Sequence, residues 1–260
     1  MATTRAEQDA KRFQAWQTDA LESRPPSTEL LEVGPFKAIV PAATDAGAWV
    51  TLIDADAGER ETISAVTRLR AIFKGRSAPI EIEFNEALYP QVGRWLEAAG
   101  LRLSERNPLM ACHATGFKPF AAPAVALHRL TVGSSADDLR AFQSIRWTNG
   151  GDNTDTPPTP DALRKELVGK GSVHVLAWLD GARAGTGVSH SLRGAVEIVG
   201  VVTVASMRRH GVAATITSDL LRRHFDSGGD FAFLDAANDE AARVYERLGF
   251  RAFGANLVYR

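Results

Sequence analysis

Apolar residues recur along the chain at two spacings, and each change of spacing marks a new element. Residues 3–23 repeat at helical intervals and put Phe13, Trp16, Ala20 and Leu21 on one side. Arg24-Pro25-Pro26-Ser27 ends that helix. Short apolar runs at 35–40 (PFKAIV) and 47–53 (GAWVTLI) predict strands, and 59–74 predicts a helix. Residues 79–84 (PIEIEF) alternate as a half-buried strand does. Residues 87–99 return to helical spacing and stop at Gly100, and 107–113 predicts another strand.

Phe117 to Pro123 breaks the pattern with two prolines and small residues. Beyond it come a strand at 125–131, a helix at 135–147, a polar Gly/Pro-rich loop at 147–160 and a short helix at 160–168. Three strands are expected near 173–179, 183–191 and 195–204, with turns at Asp180-Gly181 and Arg193-Gly194. A helix at 211–225, a strand at 230–236, a helix at 238–248 and a strand at 250–259 complete the series. The pattern predicts a mixed α/β fold whose sheet is largely antiparallel.

The two halves echo each other. A shift of 149 positions pairs Arg94 with Arg243, Glu97 with Glu246, Gly100 with Gly249, Arg102 with Arg251 and Asn107 with Asn256. This predicts a duplication, with an N-terminal helix at 1–26, a first lobe at 27–116, a linker at 117–124 and a second lobe at 125–260.

Composition narrows the function. Thirty Lys and Arg against 31 Asp and Glu leave a net charge of −1, which argues against a surface built for nucleic acid. Cys112 is the only cysteine, so no intrachain disulfide forms and a reducing, cytoplasmic setting is expected. One Cys beside His113 is not a metal site, so no metal is expected. No apolar run approaches the roughly 20 residues of a membrane span.

Against that neutral background, VVTVASMRRHGVAATITSDLLRRHF (201–225) carries four arginines and one aspartate. A buried strand, Val202-Thr203-Val204, runs into the turn Arg208-Arg209-His210-Gly211-Val212-Ala213, and a helix follows. A helix start offers unpaired N–H groups and a partial positive charge. Gly211 allows close backbone approach and Ala213 keeps the neighbourhood small. Together these make a cradle for a diphosphate. The matching stretch of the first half, Glu59 to Ser64, has two acids and no glycine.

At these residues the sequence resembles the GNAT superfamily of acyl-CoA-dependent N-acyltransferases. Arg208, Gly211 and Ala213 match its phosphate-loop pattern, Gln/Arg-x-x-Gly-x-Gly/Ala. Asn238, Ala241, Tyr245, Gly249 and Phe250 match its block Asn-x-x-Ala-x-x-x-Tyr-x-x-x-Gly-Phe. The resemblance covers about 125–260, and 30–115 resembles a degenerate copy without the phosphate loop. It implies two GNAT-like lobes, with acetyl-CoA as donor and an amine as acceptor, either a small molecule or a peptide.

The resemblance further implies that the donor's pantetheine arm lies beside Val202, Thr203 and Val204. Asn238 suits its amides, or caps the following helix equally well. Tyr245 suits a general acid for the departing thiolate, and Glu197, on the strand, a general base. Strand alternation puts Glu197 on one face with Val199, Val201 and Thr203, an apolar setting that moves a carboxylate's pKa toward a useful range. His190 or a water is the rival base, and Asp235 reads as structural. The loop 147–158, with Trp147, Asn149, Asp152, Asn153 and Asp155, is the candidate acceptor wall. Two other readings fit the same residues: an acyl-CoA-binding regulator without turnover, and an enzyme of thiol biosynthesis acting on a cysteinyl amine.

Overall fold

The computed structural model describes the chain except residues 1–2, 24–28, 41–47, 53, 55, 76–79, 150–158 and 169–170. In order the elements are α1 (Arg5–Glu22), β1 (Glu29–Val33), β2 (Phe36–Val40), β3 (Ala48–Leu52), α2 (Glu59–Gly75), β4 (Ile80–Asn85), α3 (Val92–Ala98) and β5 (Leu103–His113). Then come β6 (Val125–Arg129), α4 (Ala136–Asn149), α5 (Pro160–Val168), β7 (Ser172–Leu179), β8 (Ala182–Leu192) and β9 (Ala195–Thr203). The last four are α6 (Val212–Asp226), β10 (Phe231–Asp235), α7 (Asp239–Arg247) and β11 (Arg251–Tyr259).

Periodicity found nearly all of these. It missed β1, which forms a hairpin with β2, Val33 paired to Phe36. It also started α3 too early. The amides of Leu88 and Tyr89 both donate to the Asn85 carbonyl, and that of Ala87 donates to Asn85 Oδ1, so an Asn-anchored turn precedes the helix.

The chain divides into two compact units. The first contains residues 1–110, 235–238 and 252–260, and the second 111–234 and 239–251. In the first, strands run in the order β1-β2-β3-β4-β11-β5. β3 and β4 are parallel, whereas β1–β2, β2–β3 and β4–β11 are antiparallel. The core joins Phe36, Leu69, Phe73, Phe84, Leu96 and Leu257, each buried side chain contributing about 1.5–3 kcal/mol. The last strand of the chain is thus built into the first unit, with Asn256 opposite Asn85 and Leu257 opposite Phe84.

In the second unit the order is β10-β9-β8-β7-β6. Only β9 and β10 are parallel. On one face α4 and α5 set Leu139, Phe142, Ile145 and Leu163 against Leu176 and Val188. On the other, Ile216 and Leu220 of α6 close on Gly187. The succession β2-β3-α2-β4-α3-β5 recurs as β8-β9-α6-β10-α7-β11, and each copy has one parallel strand pair before its second helix. The architecture is mixed α/β, mostly antiparallel and flanked by helices, as the pattern predicts.

Candidate functional site

The second unit holds an opening between two parallel strands. β9 pairs with β10 only over Ala195 to Glu197, against Phe231 to Phe233. β9 then continues to Thr203, so the edge from Ile198 to Thr203 has no strand partner on the β10 side among the described residues. Main-chain groups along such an edge can hydrogen-bond an extended ligand. Val202 and Thr203 lie on this edge, and Val204 follows it.

A bulge bends β9 beside the opening. Val188 pairs with Val199 and Thr186 with Val202, so a step of two on β8 meets a step of three on β9. Gly200 takes a φ of +57° there, and its carbonyl accepts from the Thr186 hydroxyl at 3.1 Å. The Arg146 guanidinium of α4 lies against the bulge, Nε 3.2 Å from where a Gly200 Cβ would stand. The bulge corrects the strict alternation expected for this strand. Val199 and Val202 both pack with the α4–α5 core, whereas Val201 lies near Gly187 on the α6 side.

After β9 a short 3-10 turn, Ala205–Met207, leads into the basic loop. Arg208, Arg209 and His210 are exposed. Arg209 has a φ of +71°, a left-handed conformation disfavoured for a side chain of its size. His210 Nδ1 lies 2.8 Å from the Arg208 carbonyl, which ties the ring to the loop. Gly211 occupies the N-cap at φ +80°, and no side chain caps the helix. Thr215 is the first amide of α6 to reach a helical carbonyl, that of Gly211 at 2.9 Å. The amides of Val212, Ala213 and Ala214 precede it and form the positive end of the helix. The Val212 side chain itself is core, 2% exposed, so only its backbone faces the loop.

Two features of this loop had no signal in the sequence. The space above Gly211 is used by the protein itself: a Cβ there would lie 3.0 Å from Ala122 Cβ and 3.1 Å from Phe120 Cε1. Backbone N–H bonds from Phe120 to Ser218 Oγ and from Ala122 to Thr215 Oγ1 pin this segment along α6. The glycine therefore serves the turn and the strap across it. Second, only Arg208 and Arg209 charge the loop. Arg222 and Arg223 sit at the far end of α6, both bound to Asp219 at 3.1 and 2.6 Å.

In the first unit the equivalent helix start does have a glycine. Gly58 immediately precedes α2, and its carbonyl accepts from Thr62 N. The first turn, however, carries Glu59 and Glu61, and carboxylates there satisfy the helix end and repel an anion. β3 is paired with β4 at Ala48 through Thr51, so among the described residues its edge shows no comparable opening.

Tyr245, on α7, is 7% exposed, with its ring 5.8 Å from that of Phe250. Burial pushes its phenol up to about 12, so it remains protonated at neutral pH. Ala241 is half-buried on the same helix, and Asn238 is exposed immediately ahead of it.

Glu197, half-buried, is the last residue of β9 to pair with β10. It stands opposite His190 of β8, so the two rival bases are neighbours. His190 in turn stands opposite Ser172 of β7, and Ser172 Oγ lies 2.8 Å from its Nδ1. Burial lowers the His190 pKa, and the charges of His174 and Arg146 add to this. Ser172 and Arg146 had no signal in the sequence, because only strand register and helix packing bring them here.

Asp235 ends β10. Desolvation pushes its carboxyl up to about 7; the Asn256 amide, 2.8 Å away, opposes this, and Glu83 and Glu105 reinforce it. Of the expected acceptor wall, residues 150–158, including Asp152, Asn153 and Asp155, lie outside the described residues, as does the Asn149 side chain. Trp147 is half-buried on α4. Among the described residues no group of three His, Cys, Asp or Glu could hold a metal ion. No described helix is long and apolar enough to cross a membrane.

Residues 139–250 match the model of the Acetyltransferase (GNAT) family. No curated protein matches the chain significantly by sequence. Solved structures match its fold over nearly its whole length. A GCN5-related N-acetyltransferase from Kribbella flavida has a TM-score of 0.76 at 23% identity, covering 96% of this chain and 94% of its own. A tandem GNAT protein from the clavulanic acid biosynthesis pathway has 0.64 at 14%, covering 97% and 94%. A putative GNAT acetyltransferase from Novosphingobium aromaticivorans has 0.55 at 18%, covering 97% and 96%.

Proposed function

We propose that this chain, whose residues 139–250 match the Acetyltransferase (GNAT) family model, transfers an acetyl group from acetyl-CoA to a primary amine. The observation that carries the reading is the opening of β9 from β10 at Glu197, leading along an edge that no described strand pairs on the β10 side to the uncapped start of α6. A strand edge suits a pantetheine arm with its two amides, and a basic helix start suits a diphosphate. Main-chain amides at Gly211 to Ala213, with Arg208, Arg209 and His210, would hold the phosphates. Val202, Thr203 and Val204 would hold the arm, and Ala241 would flank it.

Glu197 removes a proton from the acceptor ammonium, and the freed amine attacks the thioester carbonyl. Tyr245, kept protonated by burial, donates to the departing sulfur. The residues at 27–116 serve as a degenerate lobe, a role supported by the acidic start of α2 and the closed β3–β4 pair.

Calorimetry with acetyl-CoA, followed by a thiol-release assay over a panel of small amines and peptide amines, tests the reading. Micromolar binding and thiol release on at least one amine are expected. Binding without release on any amine points instead to a regulator, and absence of binding removes the proposal.

A further inference from the structure

Ser172, His190 and Glu197 form one row across β7, β8 and β9. Residues directly opposite on adjacent strands share a face, with Cβ atoms about 4.5–5.5 Å apart. The face is the one covered by α4 and α5, where Val188, two residues along β8 from His190, packs into the core. Ser172 engages His190 at Nδ1, which leaves Nε2 as the ring's other proton site. Glu197 ends the row where β9 parts from β10.

The charges that act on the His190 ring are those of His174, Arg146 and Glu166, and Glu197 stands opposite it in register. His174 is on β7, Arg146 on α4, Glu166 on α5 and Glu197 on β9. His174 is 3% exposed, and its Nε2 lies 3.8 Å from Glu166 Oε2. Burial, His174 and Arg146 favour the neutral imidazole, with Glu166 opposing them. A neutral ring can accept a proton at pH 7.

We infer that His190 is a positioning residue for Glu197, its imidazole held by Ser172 and receiving the proton that Glu197 takes from the acceptor. The inference rests on Glu197 being the base, as proposed above. An ammonium N–H breaks, and its proton passes to the carboxylate and on to the imidazole. The amine lone pair forms the C–N bond as the C–S bond breaks. Tyr245 gives a proton to sulfur and regains the second proton that the nitrogen loses. Amide and thiol leave, and His190 returns its proton to water.

The test follows the His190 ring by NMR through a pH titration of the full chain, without ligand. Glu197→Gln removes a facing carboxylate, so the ring's apparent pKa falls by about half a unit or more; an unchanged titration overturns the pairing. Kinetics with acetyl-CoA and the best amine of the panel give the second readout. His190→Asn keeps a hydrogen-bonding group for Ser172 but cannot take up a proton. It lowers kcat by about tenfold with KM for acetyl-CoA unchanged, and adds no loss in the Glu197→Gln background. Full activity of His190→Asn, or equal losses in both backgrounds, overturns the relay. If Glu197→Gln is inactive while His190→Asn is fully active, only the relay fails. If Glu197→Gln is fully active, the base assignment fails with it.

Discussion

Phe120 stands against Gly211, its ring edge 3.1 Å from the point a Cβ would occupy. The segment before the second unit's first strand therefore lies against Gly211, and a glycine at left-handed φ is what permits both the turn and the fit. Two substitutions separate shape from charge. Gly211→Ala destabilises the fold by about 1–2 kcal/mol through positive φ and crowding of Ala122, and weakens acetyl-CoA binding modestly. Gly211→Glu adds a negative charge at the helix start and abolishes measurable binding. Urea unfolding and calorimetry read the two effects. Unchanged affinity in the glutamate variant would refute the phosphate cradle.

Tyr245 is buried and has one group of chemical use, its hydroxyl. Tyr245→Phe keeps the packing on Phe250 and removes the hydroxyl proposed as the proton donor. Turnover falls on the order of a hundredfold while acetyl-CoA affinity stays within about twofold. Steady-state kinetics beside calorimetry check this, and equal turnover in both proteins ends the general-acid role.

Glu197 must be ionised to act as a base, so activity rises with pH as its carboxyl loses its proton. In Glu197→Gln the acid limb of the kcat–pH profile disappears and kcat drops by about a hundredfold. A variant that keeps the same limb shows that another group, or a water, takes the proton.

Asp235 gives a stability prediction within the first unit. Its folded pKa, about 7, lies above the ordinary carboxylate value of 3.8, although the residue as a whole presents surface to solvent. The fold therefore favours the protonated acid. That stabilising contribution is complete below about pH 4 and is lost as pH rises through about 7. Asp235→Asn mimics the neutral acid, so its stability varies less between pH 5 and 8, and it exceeds the parent at pH 8. Urea midpoints across that range are the measurement; parallel curves for the two proteins would place the carboxyl in water.

Most of the elements, the basic turn with Gly211 and the block from Asn238 to Phe250 were legible in the sequence, whereas β1 and the true start of α3 were not. Each is local: an apolar face repeats every two or about 3.6 residues, and a helix start needs small and polar residues at fixed offsets. Tertiary structure alone decided which residues meet. It set the step at Gly200 that moves Val202 onto the core face, and the parting of β9 from β10 after Glu197. It aligned Ser172 with His190 and Glu197, and it paired β11 with β4. These depend on register between strands far apart in sequence. A slip of one residue reverses every face, and nothing in a local pattern of apolar residues records which register was chosen.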